Sequence, residues 1–303
     1  MSSYLVTGGA GFIGSHLVDY LIGTGNKVTV LDSLLTGKIE NINKSAHFIH
    51  GSITDVPVLE SAFDGIDFCY HLAAIPSVQD SIKNWSDCHK VNLGGSINVF
   101  EIAVRNNIPV IYASSSAVYG SLTDVPIKED SPIAPVAPYG FDKYSNEVHA
   151  KLFADLKGLK STGLRFFNVY GSRQDPASPY SGVIPIFVKK IMNREGIKVF
   201  DDGNQTRDFI HVSDVVQALI KANNKKSLET SGVFNVCTGT GISVNYLVNA
   251  LFEIIDKKVD IEYLPPRNGD VYQSIGDPSK AKDLLGFEAV MNIRKGLSLL
   301  FNK

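Results

Sequence analysis

A glycine-rich turn near the start of the chain restricts its fold more than any other sequence feature. The turn, Thr7-Gly8-Gly9-Ala10-Gly11-Phe12-Ile13-Gly14, follows a short apolar run and leads into a segment with helical periodicity. In such a strand–turn–helix unit Gly8 allows the tight turn, Gly11 lets backbone amides approach a pyrophosphate, and Gly14 permits close helix packing. The helix N-terminus at Phe12 and Ile13 favours the anionic phosphates. The turn therefore predicts a dinucleotide site, with a glycine-rich turn that binds no ligand as the alternative.

The remainder of the first half alternates apolar runs with helical segments, which is typical of an α/β fold with a doubly wound parallel sheet, the Rossmann-like arrangement. We predict strands at Tyr4–Thr7, Lys27–Asp32, His47–Gly51, Phe68–Leu72, Pro109–Ser114 and Ser161–Phe167, and helices at Phe12–Gly23, Val56–Ala62, Val91–Asn106 and Tyr139–Lys157.

Proline- and glycine-bearing stretches after Asn168 predict a smaller C-terminal α/β lobe that binds the substrate. We expect the chain to return to the large sheet near Asp208–Lys221 and Val233–Cys237. The predicted domains are 1–168 plus returning segments at about 208–237 for the cofactor, and about 169–207 plus 238–303 for the substrate.

Bulk composition excludes several classes of function. A net charge of −2 over 303 residues argues against a nucleic-acid surface. We find no apolar run long enough to cross a bilayer and no secretory signal pattern, so we expect a cytoplasmic protein without membrane contact. The three unevenly spaced cysteines suggest neither a disulfide framework nor a metal site.

An acidic residue at the end of the second predicted strand favours NAD over NADP. Asp32 stands where a carboxylate can accept both adenosine ribose hydroxyls, and it should repel a 2′-phosphate. Ser33, Leu34 and Leu35 follow it, rather than an arginine that would accommodate that phosphate. A carboxylate that merely caps the strand end is the alternative.

A Tyr-x-x-x-Lys pair supplies candidate acid–base chemistry. Tyr139 and Lys143 are four residues apart, which places phenol and ammonium on one face of a helix. A free tyrosine has a pKa near 10, but a neighbouring lysine and a positive nicotinamide ring favour the phenolate. Ser115 lies in a serine run that ends a predicted parallel strand, where ligands bind. Together these residues predict proton transfer from a sugar hydroxyl, which Ser115 would hydrogen-bond and which Ser116 helps to hold.

Six motifs in order resemble the UDP-hexose 4-epimerases of the extended short-chain dehydrogenase/reductase superfamily. They are TGGAGFIGSH, HLAA at 71–74, SSSAVYG at 114–120, YGFDK at 139–143, LRFFNVYG at 164–171 and RDFIHVSD at 207–214. The resemblance implies a tightly held NAD, a lobe for UDP-sugar and a homodimer formed through helices. It also implies that C4 is oxidised to a 4-keto sugar, which turns over and is reduced on its other face.

Further site residues follow from that resemblance. The cofactor contacts it implies, besides the glycine turn, Asp32 and the catalytic pair, are Ser52, Ile53, Leu72, Ala73, Ala74, Asn92 and Phe166, with Phe167 also near the nicotinamide. The implied substrate contacts, besides Ser115 and Ser116, are Ser77, Asn168, Gln174, Val183, Val199, Phe200, Arg207, Arg267, Asp270 and Ser274, of which the two arginines would clamp the diphosphate.

Single positions bear on the substrate. Ser274 stands where epimerases restricted to UDP-glucose and UDP-galactose carry tyrosine, so a 2-acetamido group should fit and we expect UDP-GlcNAc and UDP-GalNAc to be accepted, together with the plain hexoses. The alternatives are a UDP-glucose/UDP-galactose 4-epimerase without N-acetyl activity, a UDP-glucuronate 4-epimerase, for which Arg173 leaves room, and a non-catalytic NAD(H)-binding regulator. Ser116-Ala117 argues against related dehydratases and decarboxylases, which carry acidic residues there.

Two positions depart from the family pattern. Ser52 replaces the usual aspartate after the third strand, which weakens one expected adenine contact. Asp142 replaces a small residue before Lys143. Because neighbouring residues on a helix do not face each other, we expect Asp142 to face solvent rather than to form an ion pair.

Overall fold

The computed structural model describes residues 1–122, 124–175, 182–224, 228–229, 231–266 and 271–301. Strands in these residues are β1 Ser3–Thr7, β2 Lys27–Asp32, β3 His47–His50, β4 Phe68–His71, β5 Val110–Ser115, β6 Ser161–Phe166, β7 Asn168–Tyr170, β8 Ile197–Phe200, β9 Thr206–His211, β10 Val233–Val236, β11 Gly241–Ser243, β12 Ile261–Leu264 and β13 Gln273–Ser274.

The α-helices of the same residues are α1 Phe12–Gly23, α2 Val56–Ala62, α3 Val78–Lys83, α4 Trp85–His89, α5 Ser96–Arg105, α6 Pro138–Lys157, α7 Val183–Met192, α8 Val212–Ala222, α9 Val244–Ile255, α10 Ser279–Leu285 and α11 Ile293–Ser298. A π-helical stretch, Lys90–Gly95, joins α4 to α5, and 3₁₀ turns occupy Ile39–Asn41 and Ser116–Tyr119. None of the helices in this described part combines the length and apolarity that a membrane crossing needs.

The large sheet is parallel throughout, and its seven described strands follow the order β10-β6-β5-β4-β1-β2-β3. Alternate strand residues enter opposite core layers: Val6 packs with Leu17 of α1 and Val215 of α8, whereas Leu5 packs with residues of α2, α5 and α6. Both faces are therefore covered by helices, which explains the continuous apolar strands. The doubly wound α/β prediction is confirmed.

The smaller lobe has its own core. Strand β9 pairs with β7, β11 and β13, and β8 pairs with β12. A separate apolar cluster joins these strands to α7, α9 and α11 around Phe187, Leu247 and Leu251. The chain passes from the large sheet into this lobe at the end of β6, because β7 follows β6 after a single residue, Phe167.

Most predicted elements agree with the structure, and two differ. The helix predicted at 91–106 begins with the π-helical stretch and is regular only from Ser96. The second difference concerns the segment near 208–221, which we expected to return to the large sheet. Helix α8 does pack against α1 and β6, but β9 belongs to the small sheet because it pairs with β7 and β11 there. Strand β10 does join the large sheet, beside β6. The domain limits stay a prediction.

Candidate active site

The carboxyl ends of the parallel strands place the predicted cofactor residues at one edge. Gly8 follows β1 with φ +74°, and a side chain there would lie 2.7 Å from the backbone nitrogen of Ala73. At Gly14 a Cβ would lie 2.2 Å from the carbonyl oxygen of Gly8. The tight turn and the close helix packing therefore both require glycine. Gly11 is the N-cap of α1, and among the described residues that same carbonyl is the one group near its Cβ position, so the amides of the first helical turn can approach an anion.

Asp32 is fixed beside this turn. Its Oδ2 accepts a hydrogen bond of 2.9 Å from the backbone N–H of Ala10, and its Oδ1 accepts one of 2.8 Å from that of Leu34. Each carboxylate oxygen keeps a further acceptor position. Asp32 therefore fits the ribose hydroxyls of NAD, and the backbone amides of the turn fit its pyrophosphate.

The neighbouring loop residues have local partners. Ser52 Oγ lies 2.8 Å from Thr54 Oγ1, and Ile53 is buried against the π-helical stretch, where a Cβ on Gly95 would meet it at 2.6 Å. Asn92 accepts a 2.7 Å hydrogen bond from the N–H of Ile75 and donates one to the carbonyl of the same residue. Asn92 therefore anchors the segment that contains Leu72, Ala73 and Ala74.

Sequence reasoning missed the buried network behind the glycine turn. His71 Nδ1 is 2.8 Å from Thr7 Oγ1, and its Nε2 is 2.9 Å from Ser96 Oγ. Since Ser96 donates its proton to the carbonyl of Asn92, Nε2 of His71 donates to Ser96 and Nδ1 accepts from Thr7. Burial, helped by the charge of Lys143, lowers the pKa of His71 to about 3, so the ring is neutral. The signal available in the sequence was a histidine ending an otherwise apolar strand.

The predicted catalytic residues meet at the end of β5. Ser115 Oγ accepts from the N–H of Ala117 at 3.1 Å and is hydrogen-bonded to Tyr139. Lys143 lies one helical turn beyond Tyr139 in α6, and its Nζ is 5.9 Å from the centre of the phenol ring. Nζ donates a 2.9 Å hydrogen bond to the carbonyl of Ala113. The structure brings the three side chains together.

Burial acts on the phenol and the ammonium in opposite directions. It raises the pKa of Tyr139 to about 12, against the effect of the Ser115 hydrogen bond. It lowers the pKa of Lys143 to about 8, against the charges of Asp142 and Glu147. Both groups are driven towards their neutral forms, so a phenolate at neutral pH requires added positive charge near the ring.

A buried ion pair supports this strand end, and the sequence analysis missed it too. Glu147 accepts two hydrogen bonds from Arg165, at 2.9 and 2.6 Å, and one of 2.5 Å from Ser114, the residue before Ser115. Arg165 also donates to the hydroxyl of Tyr119 at 2.7 Å. An arginine inside the apolar run of β6 was the available signal, because a buried charge needs a partner.

The predicted substrate residues of the small lobe lie along β7, β9 and β13. Asn168 donates a 3.2 Å hydrogen bond to the carbonyl of Asp208, and Ser274 is the register partner of Arg207. The Asp208 carboxylate, which we did not predict, is fully buried and accepts hydrogen bonds from Thr238, Gly239 and Gly276. It fixes β9 to the turn that follows β10 and to the segment that follows β13.

Other predicted substrate residues are more dispersed. Ser77 caps α3, Ser116 begins the 3₁₀ turn after Ser115, and Val183 begins α7. Gln174 donates a 3.3 Å hydrogen bond to the carbonyl of Val169, and its own Oε1 is buried without a hydrogen-bond partner in the described residues.

Strand β8 carries Val199, which is 1% exposed in the lobe core, and the more accessible Phe200. Phe166 packs in the same core layer as Leu72, and Phe167 lies beside Tyr119. Arg267 and Asp270 lie outside the described residues.

Two further side chains clarify the sequence interpretation. The prediction that Asp142 faces solvent is wrong: its side chain is 0% exposed, because α4 covers it and places His89 Nδ1 at 2.7 Å from Oδ1. Arg173 forms a 2.7 Å ion pair with Asp19 of α1.

Comparisons with known proteins agree with this site. The family model described as the NAD dependent epimerase/dehydratase family matches residues 4–237. UDP-glucose 4-epimerase of Mycolicibacterium smegmatis is 32% identical, over 97% of this chain and 96% of the relative.

Two solved structures show the same fold at a TM-score of 0.94. The UDP-glucose 4-epimerase of Thermotoga maritima, solved with UDP-glucose, is 41% identical over 98% of this chain and 97% of its own. The UDP-N-acetylglucosamine 4-epimerase of Methanobrevibacter ruminantium M1, solved with UDP-N-acetylmuramic acid, is 37% identical over 99% of this chain and 96% of its own.

The site and the comparisons thus agree on an NAD-dependent nucleotide-sugar epimerase. The chain belongs to the NAD-dependent epimerase/dehydratase family and, within it, to the UDP-hexose 4-epimerases of the extended short-chain dehydrogenase/reductase superfamily.

Proposed function

We propose that this enzyme interconverts UDP-GlcNAc and UDP-GalNAc, and also accepts UDP-glucose and UDP-galactose. One observation carries the proposal: Ser274 is the register partner of Arg207. If Arg207 binds the diphosphate, as we propose, a small side chain would lie close to the sugar that is attached to it. The small side chain of Ser274 leaves room for a 2-acetamido group, which the phenol ring of a tyrosine at this position would fill. The N-acetylglucosamine epimerase among the solved relatives supports this choice.

Tyr139 is the proposed acid–base residue. Its phenolate oxygen takes the proton of the sugar 4-hydroxyl and becomes a phenol, and Ser115 hydrogen-bonds the same sugar oxygen as it becomes a ketone. Bound NAD supplies the hydride acceptor and a positive ring charge. Since burial raises the pKa of Tyr139 to about 12, the ammonium of Lys143 is needed to stabilise the phenolate.

The nucleotide must stay bound while the keto sugar turns over. Arg207 and Arg267 are the proposed diphosphate ligands, so the binding energy is concentrated on UDP and the hexose stays free to rotate. Asp208 positions Arg207, because its buried carboxylate fixes β9 through four hydrogen bonds from Thr238, Gly239 and Gly276.

The substrate proposal is tested with purified protein and a panel of UDP-sugars, with C4 epimers resolved by NMR. We expect conversion of UDP-GlcNAc, and a selective loss of that activity in Ser274→Tyr while UDP-glucose still converts. Gln273→Tyr is the matched control, because adjacent strand residues point to opposite faces. Conversion of UDP-glucose alone by the wild type would instead establish the plain-hexose alternative, which the UDP-glucose 4-epimerase relatives favour.

The catalytic roles are tested separately. Tyr139→Phe should abolish turnover with every UDP-sugar while NAD stays bound, as measured after denaturing the purified protein. Undiminished turnover would contradict the assigned base.

Glucuronate epimerisation is the less favoured alternative, because the Arg173 guanidinium is already paired with Asp19.

A homodimer is also proposed. Helix α6 exposes an apolar stripe, Phe141, Val148, Leu152 and Leu156, whose spacing places these side chains on one face. Leu156 is 78% exposed. Such a stripe is suited to burial against a second copy. Light scattering should give twice the chain mass for the wild type and the single-chain mass for Leu152→Glu. The control is Leu35→Glu, a substitution of another exposed leucine, which should keep the wild-type mass.

The cytoplasmic location stays a prediction.

A further inference from the structure

A buried carboxylate with an incomplete set of partners lies next to the proposed catalytic lysine. Asp142 precedes Lys143 in α6 and is 0% exposed. Its Oδ1 is 2.7 Å from His89 Nδ1, whereas its Oδ2 is buried without a hydrogen-bond partner in the described residues. A buried acceptor left unsatisfied costs free energy, so its presence needs a physical explanation.

The hydrogen bond between His89 of α4 and Asp142 of α6 involves Oδ1 alone and leaves Oδ2 without a role in that contact. The His89 side chain is 45% exposed, whereas the Asp142 side chain does not reach solvent. A buried negative charge acts on neighbouring charges over several ångströms, because little solvent screens it. The nearest group of opposite charge that the proposed mechanism uses is Lys143.

The other titratable groups around Asp142 are mostly acidic. Asp80 of α3 and Asp87 of α4 act together with Asp142 on Cys88, whose pKa is raised first by burial and then by these carboxylates. Glu147 lies one turn further along α6, and Arg165 neutralises it. Among the described residues, the basic side chains that act on Asp142 are those of His89 and Lys143.

The mutual effects have consistent signs. Burial raises the pKa of Asp142, and the hydrogen bond and charge of His89 oppose this, followed by the charge of Lys143. Burial lowers the pKa of Lys143, and the charge of Asp142 is the largest opposing influence, ahead of Glu147. The carboxylate and the ammonium each favour the other's charged form.

We propose that Asp142 and His89 form a positioning couple that keeps Lys143 in its ammonium form, with His89 holding Asp142 ionised and Asp142 stabilising the lysine charge. This inference rests on the catalytic role proposed for Lys143. In this role the couple needs no contact with the sugar or the cofactor. It acts on catalysis through Lys143, whose positive charge the phenolate of Tyr139 requires.

The direct test is the pH profile of kcat/KM for the NAD-loaded enzyme. In Asp142→Asn the amide oxygen can still accept from His89, so the contact between α4 and α6 persists while the charge is lost. We expect the alkaline limb to move about one pH unit lower, which is roughly a tenfold loss of kcat/KM on that limb. His89→Gln should move it in the same direction by less.

Asp155→Asn is the matched control. Asp155 also lies on α6, but it is exposed and pairs with Lys151 at i,i+4. The pH profile of kcat/KM for Asp155→Asn should superimpose on that of the wild type. If Asp142→Asn leaves the alkaline limb in place, or if Asp155→Asn moves it equally, the couple is refuted. A role only in holding α4 on α6 would change the unfolding midpoint without moving the limb.

A second measurement separates this inference from the proposed function. In ¹³C-lysine-labelled, NAD-loaded protein, the Lys143 resonance is assigned by its absence from Lys143→Met and titrated by NMR. The lysine should lose its proton at lower pH in Asp142→Asn than in the wild type. An unchanged titration overturns the couple. This readout needs no turnover, so a wild type that converts no UDP-sugar would contradict the proposed function and leave the couple tested.

Discussion

Glu147→Gln tests whether the buried ion pair beneath the catalytic strand end stabilises the fold. The substitution keeps the shape of the side chain and removes its charge. Arg165 would then remain buried with its contacts to Tyr119 and the carbonyl of Glu129, at 2.7 and 3.0 Å, but without a counter-charge. In addition, the new amide group would direct N–H donors at a guanidinium that can only donate.

The expected size follows from burial. Both side chains of the pair are only 5% exposed, so water cannot replace the lost carboxylate. Removing one member of a buried pair costs about 3 to 5 kcal/mol. With an unfolding entropy of about 2.1 cal/mol/K per residue over 303 residues, each kcal/mol shifts the unfolding midpoint by about 1.6 °C, so we expect a fall of roughly 5 to 8 °C. Tyr119→Phe removes the hydrogen bond from Arg165 and the one that Tyr119 donates to Asn235, and should cost about 2 kcal/mol.

Differential scanning calorimetry of the NAD-loaded protein measures these midpoints. The matched control is Glu60→Gln, which breaks the Arg105–Glu60 pair with a similar N–O distance of 2.9 Å but side chains 59% and 47% exposed. An exposed pair contributes at most about 1 kcal/mol. If Glu147→Gln and Glu60→Gln lower the midpoint equally, burial does not make the first pair important and the reasoning is refuted.

Three further predictions concern the cofactor turn, the response to acid and the junction of β9. Gly14→Ala should reduce bound NAD and stability, because its Cβ would lie 2.2 Å from the Gly8 carbonyl oxygen. Gly23→Ala, whose Cβ would have no atom of the described residues within 4 Å, should leave the NAD content unchanged, and the absorbance of the cofactor released on denaturation measures both. The pKa of His71 is about 3 in the fold and 6.5 for a free side chain, so the unfolded chain binds a proton that the folded chain does not. The contribution of His71 to the free energy of unfolding should therefore be fully present above pH 6.5 and be lost as the pH drops from 6.5 towards 3. The free energy of unfolding should fall with pH less steeply in His71→Asn than in the wild type, and with the wild-type slope in His47→Asn, an exposed site. Urea unfolding at several pH values measures these slopes, and three equal slopes would contradict the prediction. Asp208→Asn should raise KM for the UDP-sugar more than it lowers kcat, because the carboxylate positions β9 rather than reacting; an unchanged KM would contradict the positioning role.

The cofactor edge of the site could be predicted from the sequence because its signals are local. Gly8 and Gly14 follow β1 and Asp32 ends β2, and neighbouring parallel strands present their carboxyl ends at one edge. Tyr139 and Lys143 share a helix face through their spacing alone. These relations depend on a few neighbouring residues, so the printed sequence contains them.

The sequence by itself thus determined the doubly wound sheet, the cofactor turn and the residues that meet at the end of β5. Only the tertiary structure decided which surfaces cover each other. Asp142 was expected in water because helix spacing cannot show that α4 covers it, and the pairing of Glu147 with Arg165 joins a helix to a strand. Likewise, β9 entered the small sheet because its partners, β7, β11 and β13, come from distant parts of the chain. Contacts of this kind follow from the packing of whole elements, and no local pattern encodes them.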